Sequence, residues 1–131
     1  MKREIEFRAK KVKDNNWVYG YYHKLNESFE DKECILEHHR NTSAIVDATT
    51  LGQFTGLFDI NGKKIYEGDV VRDYVDGRYE VVYDNQYMRF AFRQMKINWG
   101  MEGLFDGINE CCEVLGNKYD HPYLLDDGGE L

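Results

Sequence analysis

The N-terminal part of the chain alternates apolar and polar residues with a period of two. Phe7 and Ala9 lie between charged residues, which is the pattern of a β-strand with one buried face. A polar turn at residues 14–16 and an aromatic stretch, Trp17 to Tyr22, follow this strand. Because aromatic and β-branched residues fit a pleated surface, we predict that residues 1–24 form a hairpin.

A longer run of strand patterns occupies the middle of the chain. Residues 70–75 and 78–83 are typical of two strands joined by the turn Asp76-Gly77, and Tyr87 to Arg93 is typical of a third. Three consecutive antiparallel strands form a meander, and meanders of this size commonly close into a small barrel. We therefore predict a barrel-like antiparallel meander over residues 44–93.

The remaining segments carry weaker patterns. Residues 25–43 are charged and poorly periodic, so we predict a variable loop region there with one short strand at Cys34 to Leu36. Residues 94–131 are predicted to form a closing segment with a last strand at Glu113 to Leu115, followed by an acidic tail. Pro122 fixes the start of any short helix near the C-terminus. The sequence thus predicts a single, mainly β domain over residues 1–131, with an N-terminal hairpin and little helix.

Composition indicates the cellular compartment in which we expect the protein. No stretch approaches the roughly 18 apolar residues that a membrane helix needs, and the N-terminus lacks the apolar run of a secretory signal. We therefore expect a cytoplasmic protein with no membrane partner. Cys34, Cys111 and Cys112 are an odd number of thiols in a chain large enough to fold without disulfides, which favours free cysteines.

The formal charge of −7 is unevenly distributed along the chain. Residues 1–13 contain six Lys or Arg and two Glu, whereas residues 102–131 contain eight acidic residues and one lysine. An acidic protein repels phosphate backbones at long range, so broad nucleic-acid affinity is disfavoured unless the basic N-terminal segment forms a separate patch. Opposite charge at the two ends instead favours head-to-tail self-association into a homo-oligomer.

Two cysteine and histidine clusters could in principle bind zinc. Cys34 lies near His38 and His39, and Cys111-Cys112 lies ahead of His121. Their spacing matches no standard zinc motif, so we expect no metal and no cofactor.

The chain also lacks a recognisable catalytic constellation. Glu110 and Glu113 flank the paired cysteines and would raise a thiol pKa, which opposes cysteine catalysis. Asp69, Asp73 and Asp76 are the carboxylates that a magnesium-dependent enzyme would use, although turn carboxylates of this kind commonly face solvent. We expect a protein that is not an enzyme.

The third strand of the meander suggests a nucleic-acid platform. Its alternation places Tyr87, Arg89 and Arg93 on one face and Met88, Phe90 and Phe92 on the other. Arginines beside an aromatic residue on a strand are typical of surfaces that bind single-stranded nucleic acid.

Three ordered motifs together resemble the YopX family, whose members are small proteins of phages and prophages. The first pairs Phe7-Arg8-Ala9 with Trp17-Val18-Tyr19-Gly20, and the third is Glu113-Val114-Leu115-Gly116-Asn117. The second, about twenty residues long, runs from Gly52-Gln53-Phe54-Thr55-Gly56-Leu57 through Asn61-Gly62-Lys63-Lys64-Ile65-Tyr66-Glu67-Gly68-Asp69-Val70-Val71. Lys10 departs from the family pattern, because an aromatic residue is expected directly after Phe7-Arg8-Ala9.

The resemblance implies a β-rich fold and a phage or prophage protein of unknown function in the bacterial cytoplasm, with no catalytic residues to transfer. Within the long motif, glycines and apolar residues are explained by turns and core packing. The polar remainder, Gln53, Thr55, Tyr66 and Glu67, is a candidate contact surface. The sequence therefore favours a non-catalytic protein-interaction or self-assembling module that binds a host or phage protein. A nucleic-acid-binding protein is the alternative, and a metal-dependent enzyme comes third.

Overall fold

The fold is mainly β, as the sequence predicts. The computed structural model describes residues 4–27, 30–73, 77–94, 101–103 and 112–125. These residues form ten strands and one 3₁₀ helix, Pro122–Leu125, which begins at the proline that the sequence singled out. The strands are β1 (Phe7–Lys11), β2 (Trp17–Glu27), β3 (Glu30–Glu37), β4 (Ser43–Phe58), β5 (Lys64–Tyr66), β6 (Asp69–Arg72), β7 (Arg78–Asp84), β8 (Arg89–Gln94), β9 (Met101–Gly103) and β10 (Glu113–Asn117).

The chain divides into two compact units, residues 1–54 and 55–131, where the sequence predicts one domain. Each unit has its own apolar core, because the inward-facing residues of its sheet pack against one another. The net charge differs between the two units. The first unit contains nine Lys or Arg and nine Asp or Glu, so the whole formal charge of −7 belongs to the second unit.

The first unit is a closed antiparallel barrel of four strands. β1 pairs with β2, β2 with β3 and β3 with β4, and β4 returns to pair with β1. Ala9, Val18, Ile35 and Val46 are the buried centre of this barrel. The predicted hairpin of residues 1–24 is therefore confirmed. The barrel, which the sequence predicted over residues 44–93, instead closes within residues 7–54.

The loop predicted over residues 25–43 is largely replaced by strands. β2 continues to Glu27, and β3 pairs with it along its whole length from Glu30 to Glu37. Cross-strand polar pairs hold this hairpin where apolar residues are sparse, as in the hydrogen bond of 3.0 Å from Asn26 Nδ2 to Asp31 Oδ1. The prediction was wrong because it required an apolar face, which a strand stabilised by polar pairs does not show.

The second unit contains the predicted meander. β6, β7 and β8 are consecutive antiparallel strands in a five-stranded sheet of order β10-β6-β7-β8-β9. Ile65, Val71, Val81, Phe92 and Cys112 are buried together on one side of this sheet. The predicted last strand is confirmed as β10, which pairs with β6.

Asp59 organises the turn that leads into β5. Its Oδ1 atom accepts hydrogen bonds from the backbone N–H groups of Asn61 and Lys63, each at 2.8 Å. Its Oδ2 atom accepts a third, at 3.0 Å, from the N–H of Val114 in β10. One buried carboxylate therefore fixes the turn around Gly62, which has a positive φ of 81°, and ties it to a distant strand.

No helix within the described segments is long and apolar enough to cross a membrane.

Candidate interaction surfaces

The four polar residues of the long motif that were predicted to form a contact surface do not share one exposed surface. Thr55 and Tyr66 are buried. The Thr55 hydroxyl donates a hydrogen bond of 2.8 Å to the carbonyl of Ile65, and the N–H of Tyr66 donates one of 2.7 Å to Asp69 Oδ2. The Thr55 side chain therefore stabilises neighbouring backbone, and the Tyr66 side chain is buried, so neither forms a surface for a partner. Gln53 and Glu67 are half-buried.

The barrel instead presents an aromatic row on the outer face of β2. Trp17, Tyr19 and Tyr21 alternate with residues that face the core, such as Val18. Tyr19 is 42% exposed and Tyr21 is 56% exposed, while Trp17 is half-buried. Large aromatic side chains on a sheet surface supply contact area at a low cost in conformational entropy.

Cations from the neighbouring strand fix one end of the aromatic row. Register places Arg8 opposite Tyr19 and Lys10 opposite Trp17. The Arg8 guanidinium carbon lies 4.7 Å from the centroid of the Trp17 ring, and Lys10 Nζ lies 5.5 Å from it. Both distances are within the range of cation–π attraction, so the indole is held in place by two charged neighbours.

A histidine fixes the other end of the row. The His38 ring meets the Tyr21 ring edge-on with centroids 4.7 Å apart. Its Nε2 atom lies 2.9 Å from Oε2 of the buried Glu6. Tyr21 therefore packs against a residue that is itself anchored, which pre-organises the exposed aromatic surface.

Sequence reasoning used Trp17 to Tyr22 only as evidence for a strand. The signal for a surface was present, since a hairpin with one buried face must direct alternate aromatic residues outward. What the sequence did not supply was the register that brings Arg8 and Lys10 beside them.

The predicted nucleic-acid contacts lie at the β7–β8 hairpin, although not all in a strand. β8 begins at Arg89, and Tyr87 and Met88 belong to the preceding turn, where Met88 has a positive φ of 55°. Tyr87 is 63% exposed, and the Arg89 guanidinium carbon lies 4.9 Å from the centroid of its ring. Asp84 stabilises this turn by accepting a hydrogen bond of 3.0 Å from the N–H of Gln86.

Strand register collects all four arginines of the second unit on one face of its sheet. Arg72 in β6 is directly opposite Arg78 in β7. In the same alternation Glu80 is opposite Arg93 and Asp84 is opposite Arg89. Val70, Val82 and Ala91 share this alternation, and Val70 and Ala91 are buried. We call the charged residues of this side of the sheet the arginine face; they are Arg72, Arg78, Glu80, Asp84, Arg89, Arg93, Glu113 and Lys118.

Carboxylates engage several cations of the arginine face. Glu80 is buried and contacts both Arg93 and Lys118, the latter at 3.2 Å. Arg72 makes two contacts with Glu113 Oε1, at 3.1 Å from Nε and 2.9 Å from its terminal nitrogen. Burial lowers the pKa of Lys118, but the charge of Glu80 outweighs this effect with help from Tyr119, so the pKa lies above its ordinary value.

Replacing Glu80→Gln is expected to lower the pKa of Lys118, because the substitution removes the negative charge that favours the ammonium form. The pKa is measured from the side-chain carbon shifts of isotopically labelled lysine during a pH titration. Asp84→Asn removes one carboxylate from the same face without touching Lys118 and is the matched control. An unchanged Lys118 titration in the Glu80 variant would contradict the contact.

The other predicted chemical groups have structural surroundings. Cys34 is buried in the first unit, and Cys112 is part of the core of the second. The Nδ1 atom of His121 accepts a hydrogen bond of 3.2 Å from the N–H of Asn117. In the described part of the chain no three His, Cys, Asp or Glu side chains are grouped as metal ligands. Cys111 lies outside the described residues.

Asp69 and Asp73, the carboxylates considered for metal-dependent chemistry, stabilise turns. Asp69 binds the N–H of Tyr66, as described above. Asp73 accepts hydrogen bonds from the N–H of Gly77 at 2.8 Å and from the hydroxyl of Tyr79 at 3.1 Å. Asp76, the third member of the proposed set, lies outside the described residues.

Comparison with known proteins places the chain in a family. A solved structure, the crystal structure of protein EF1440 from Enterococcus faecalis, is similar over 95% of this chain and 100% of that chain, with a TM-score of 0.53 and 17% identity. At this identity the likeness shows the fold alone. No curated protein matches the chain significantly. The model of the family described as "YopX protein" matches residues 6–126, nearly the whole chain. The chain belongs to the YopX family.

Proposed function

We propose that this protein is a non-catalytic interaction module that binds a host or phage protein through the aromatic row. The observation that carries the proposal is the exposure of Tyr19 and Tyr21 on a rigid barrel strand. Tyrosine, tryptophan and arginine are the residues most enriched at the energetic centres of protein interfaces. In the row, Tyr19 and Tyr21 are exposed and Trp17 is half-buried, while Arg8 is itself buried and serves to position the Trp17 ring.

The geometry of the row favours binding over catalysis. Its rings are held by neighbours at both ends, through Arg8 and Lys10 on Trp17 and through His38 on Tyr21. Side chains that are already ordered lose less entropy when a partner covers them, so more of the contact energy appears as affinity. The cellular setting that we propose, the bacterial cytoplasm during a phage or prophage programme, rests on the family resemblance.

The Tyr19→Ser/Tyr21→Ser double variant tests this proposal. We expect it to keep its fold, because both side chains face outward, and to lose at least tenfold in affinity for a partner captured by the wild-type protein and then purified. Tyr123→Ser, at another exposed tyrosine on the 3₁₀ helix of the second unit, is the matched control and should bind normally. Affinity is measured by titration calorimetry after nuclease treatment of both proteins.

Each outcome is informative. Retained affinity in the double variant would contradict the assignment of the aromatic row. Equal loss in Tyr123→Ser would indicate nonspecific apolar binding and would also contradict it. If the captured partner is a second copy of this chain, the same variants are compared by sedimentation, and a dimer lost only in the double variant would support the self-assembling form of the proposal.

A further inference from the structure

The arginine face carries an excess of positive charge inside an acidic unit. Five cations lie on it, the four arginines of the second unit and Lys118, against the three carboxylates Glu80, Asp84 and Glu113. The second unit as a whole contains eight Lys or Arg and fifteen Asp or Glu. A local charge of +2 on a unit of charge −7 means that an anion is attracted to this face against the net charge of the unit.

The type of cation on this face is also informative. The guanidinium group is planar and binds phosphate oxygens through two parallel N–H bonds, and it also stacks on aromatic rings. The side chains of Arg72, Arg89 and Arg93 are each more than 40% exposed, so their charged ends reach solvent even while they contact carboxylates. A guanidinium group has five N–H donors, which is more than one carboxylate can occupy.

An aromatic platform borders the same face. Tyr87 projects from the turn before β8, and Arg89 lies over its ring. The turn that presents this tyrosine contains Met88 in the left-handed region, a strained conformation for a residue with a side chain. Asp84 holds the turn through the N–H of Gln86, so the strained and exposed segment is maintained by a buried acceptor.

We propose that the arginine face binds single-stranded nucleic acid, with Tyr87 stacking on a base and the arginines contacting the phosphates. Stacking requires unpaired bases, which a duplex does not offer to a flat sheet surface. The carboxylates between the arginines limit the affinity and space the positive charges along the face. This site is distinct from the aromatic row, so the protein would join a protein partner and a nucleic-acid strand through different units.

The test is fluorescence anisotropy of a labelled oligo(dT) of about 20 nucleotides with the full chain at low and moderate salt. Wild-type protein is expected to bind with an affinity that falls as salt rises. Arg78→Glu/Arg89→Glu is expected to weaken binding at least tenfold, and Tyr87→Ala about tenfold with little change in the salt dependence. Lys63→Glu/Lys64→Glu changes the net charge of the same unit by the same amount and is the matched control; it should bind nearly as the wild type does.

Three results would overturn the proposal: no binding by the wild type at low salt, equal weakening in both charge-reversal variants, or full competition by poly-glutamate at matched charge. The last of these would identify a general anion site or an acidic protein partner. Far-ultraviolet circular dichroism checks that each variant folds, and Arg89→Gln replaces the arginine double variant if that protein does not. Loss of oligonucleotide binding with an intact protein partner would leave the proposed function of the aromatic row standing.

Discussion

Gly20→Ala is expected to open the barrel of the first unit. A Cβ atom at this position would lie 1.9 Å from the carbonyl oxygen of Leu36 and 2.8 Å from its carbonyl carbon. Both are backbone atoms of β3, so no side-chain rotation relieves the clash, and β2 and β3 must separate where they pair. We expect a loss of about 3 kcal/mol or more in the free energy of unfolding, a large part of the stability of a small protein.

Chemical denaturation monitored by circular dichroism measures this loss, with Gly62→Ala as the control. Gly62 has a positive φ of 81°, but a Cβ atom there meets nothing within 4 Å. Its replacement therefore costs only backbone strain, about 1–2 kcal/mol. If the two variants lost equal stability, conformational freedom would explain Gly20 and the close approach of β2 to β3 would not.

Asp59→Ala is expected to destabilise the second unit by about 3–5 kcal/mol, because three backbone N–H groups lose their acceptor at once. Asp59→Asn separates the contributions. Its single carbonyl oxygen can still serve Asn61 and Lys63, but its NH₂ group would face the N–H of Val114. We expect a smaller loss for Asn than for Ala, measured by urea denaturation. Equal losses would show that the link to β10 carries the whole effect.

The same carboxylate makes stability depend on pH. Burial raises the pKa of Asp59, but the N–H donors of Val114, Lys63 and Asn61 outweigh burial and hold the pKa below its ordinary value. A lowered pKa in the folded state means that the stabilisation is complete above the unfolded-state pKa of about 3.9 and is lost as the pH falls through the folded-state value. The wild type should therefore lose more stability than Asp59→Asn between pH 5 and the acid limit of folding. Parallel pH profiles would contradict this role.

Local patterns were sufficient to predict the class of fold and several of its elements. The alternation around Phe7 and Ala9 and the turn residues Asn61-Gly62 act over short distances, so the hairpin of β1 and β2 and the turn before β5 were predictable. Barrel closure by pairing of β4 with β1 joins residues 35 to 46 positions apart, and no local pattern encodes it. The β2–β3 hairpin was missed because its outer half relies on polar pairs such as Asn26 with Asp31.

The candidate surfaces were predictable to a similar degree. Alternation alone put Arg89 and Arg93 on one face, and the structure keeps them there. That Arg72 and Arg78 lie on the same face could be recognised only from the pairing register of β6 and β7. Thr55 and Tyr66 were assigned to a contact surface because their types are polar, yet both are buried, and the Thr55 hydroxyl is bonded to the backbone carbonyl of Ile65.

The indole of Trp17 gives the first unit an internal optical reporter. It lies within cation–π distance of both Arg8 and Lys10 at the end of the aromatic row, and the chain contains one other tryptophan, Trp99. With Trp99 replaced by phenylalanine, the emission of the protein comes from Trp17 when indole is excited selectively. A partner that covers the row changes the polarity around that indole and shifts its emission, so the emission reports directly on occupancy of the row. Binding at the aromatic row is therefore measurable from intrinsic fluorescence, without labelling the protein.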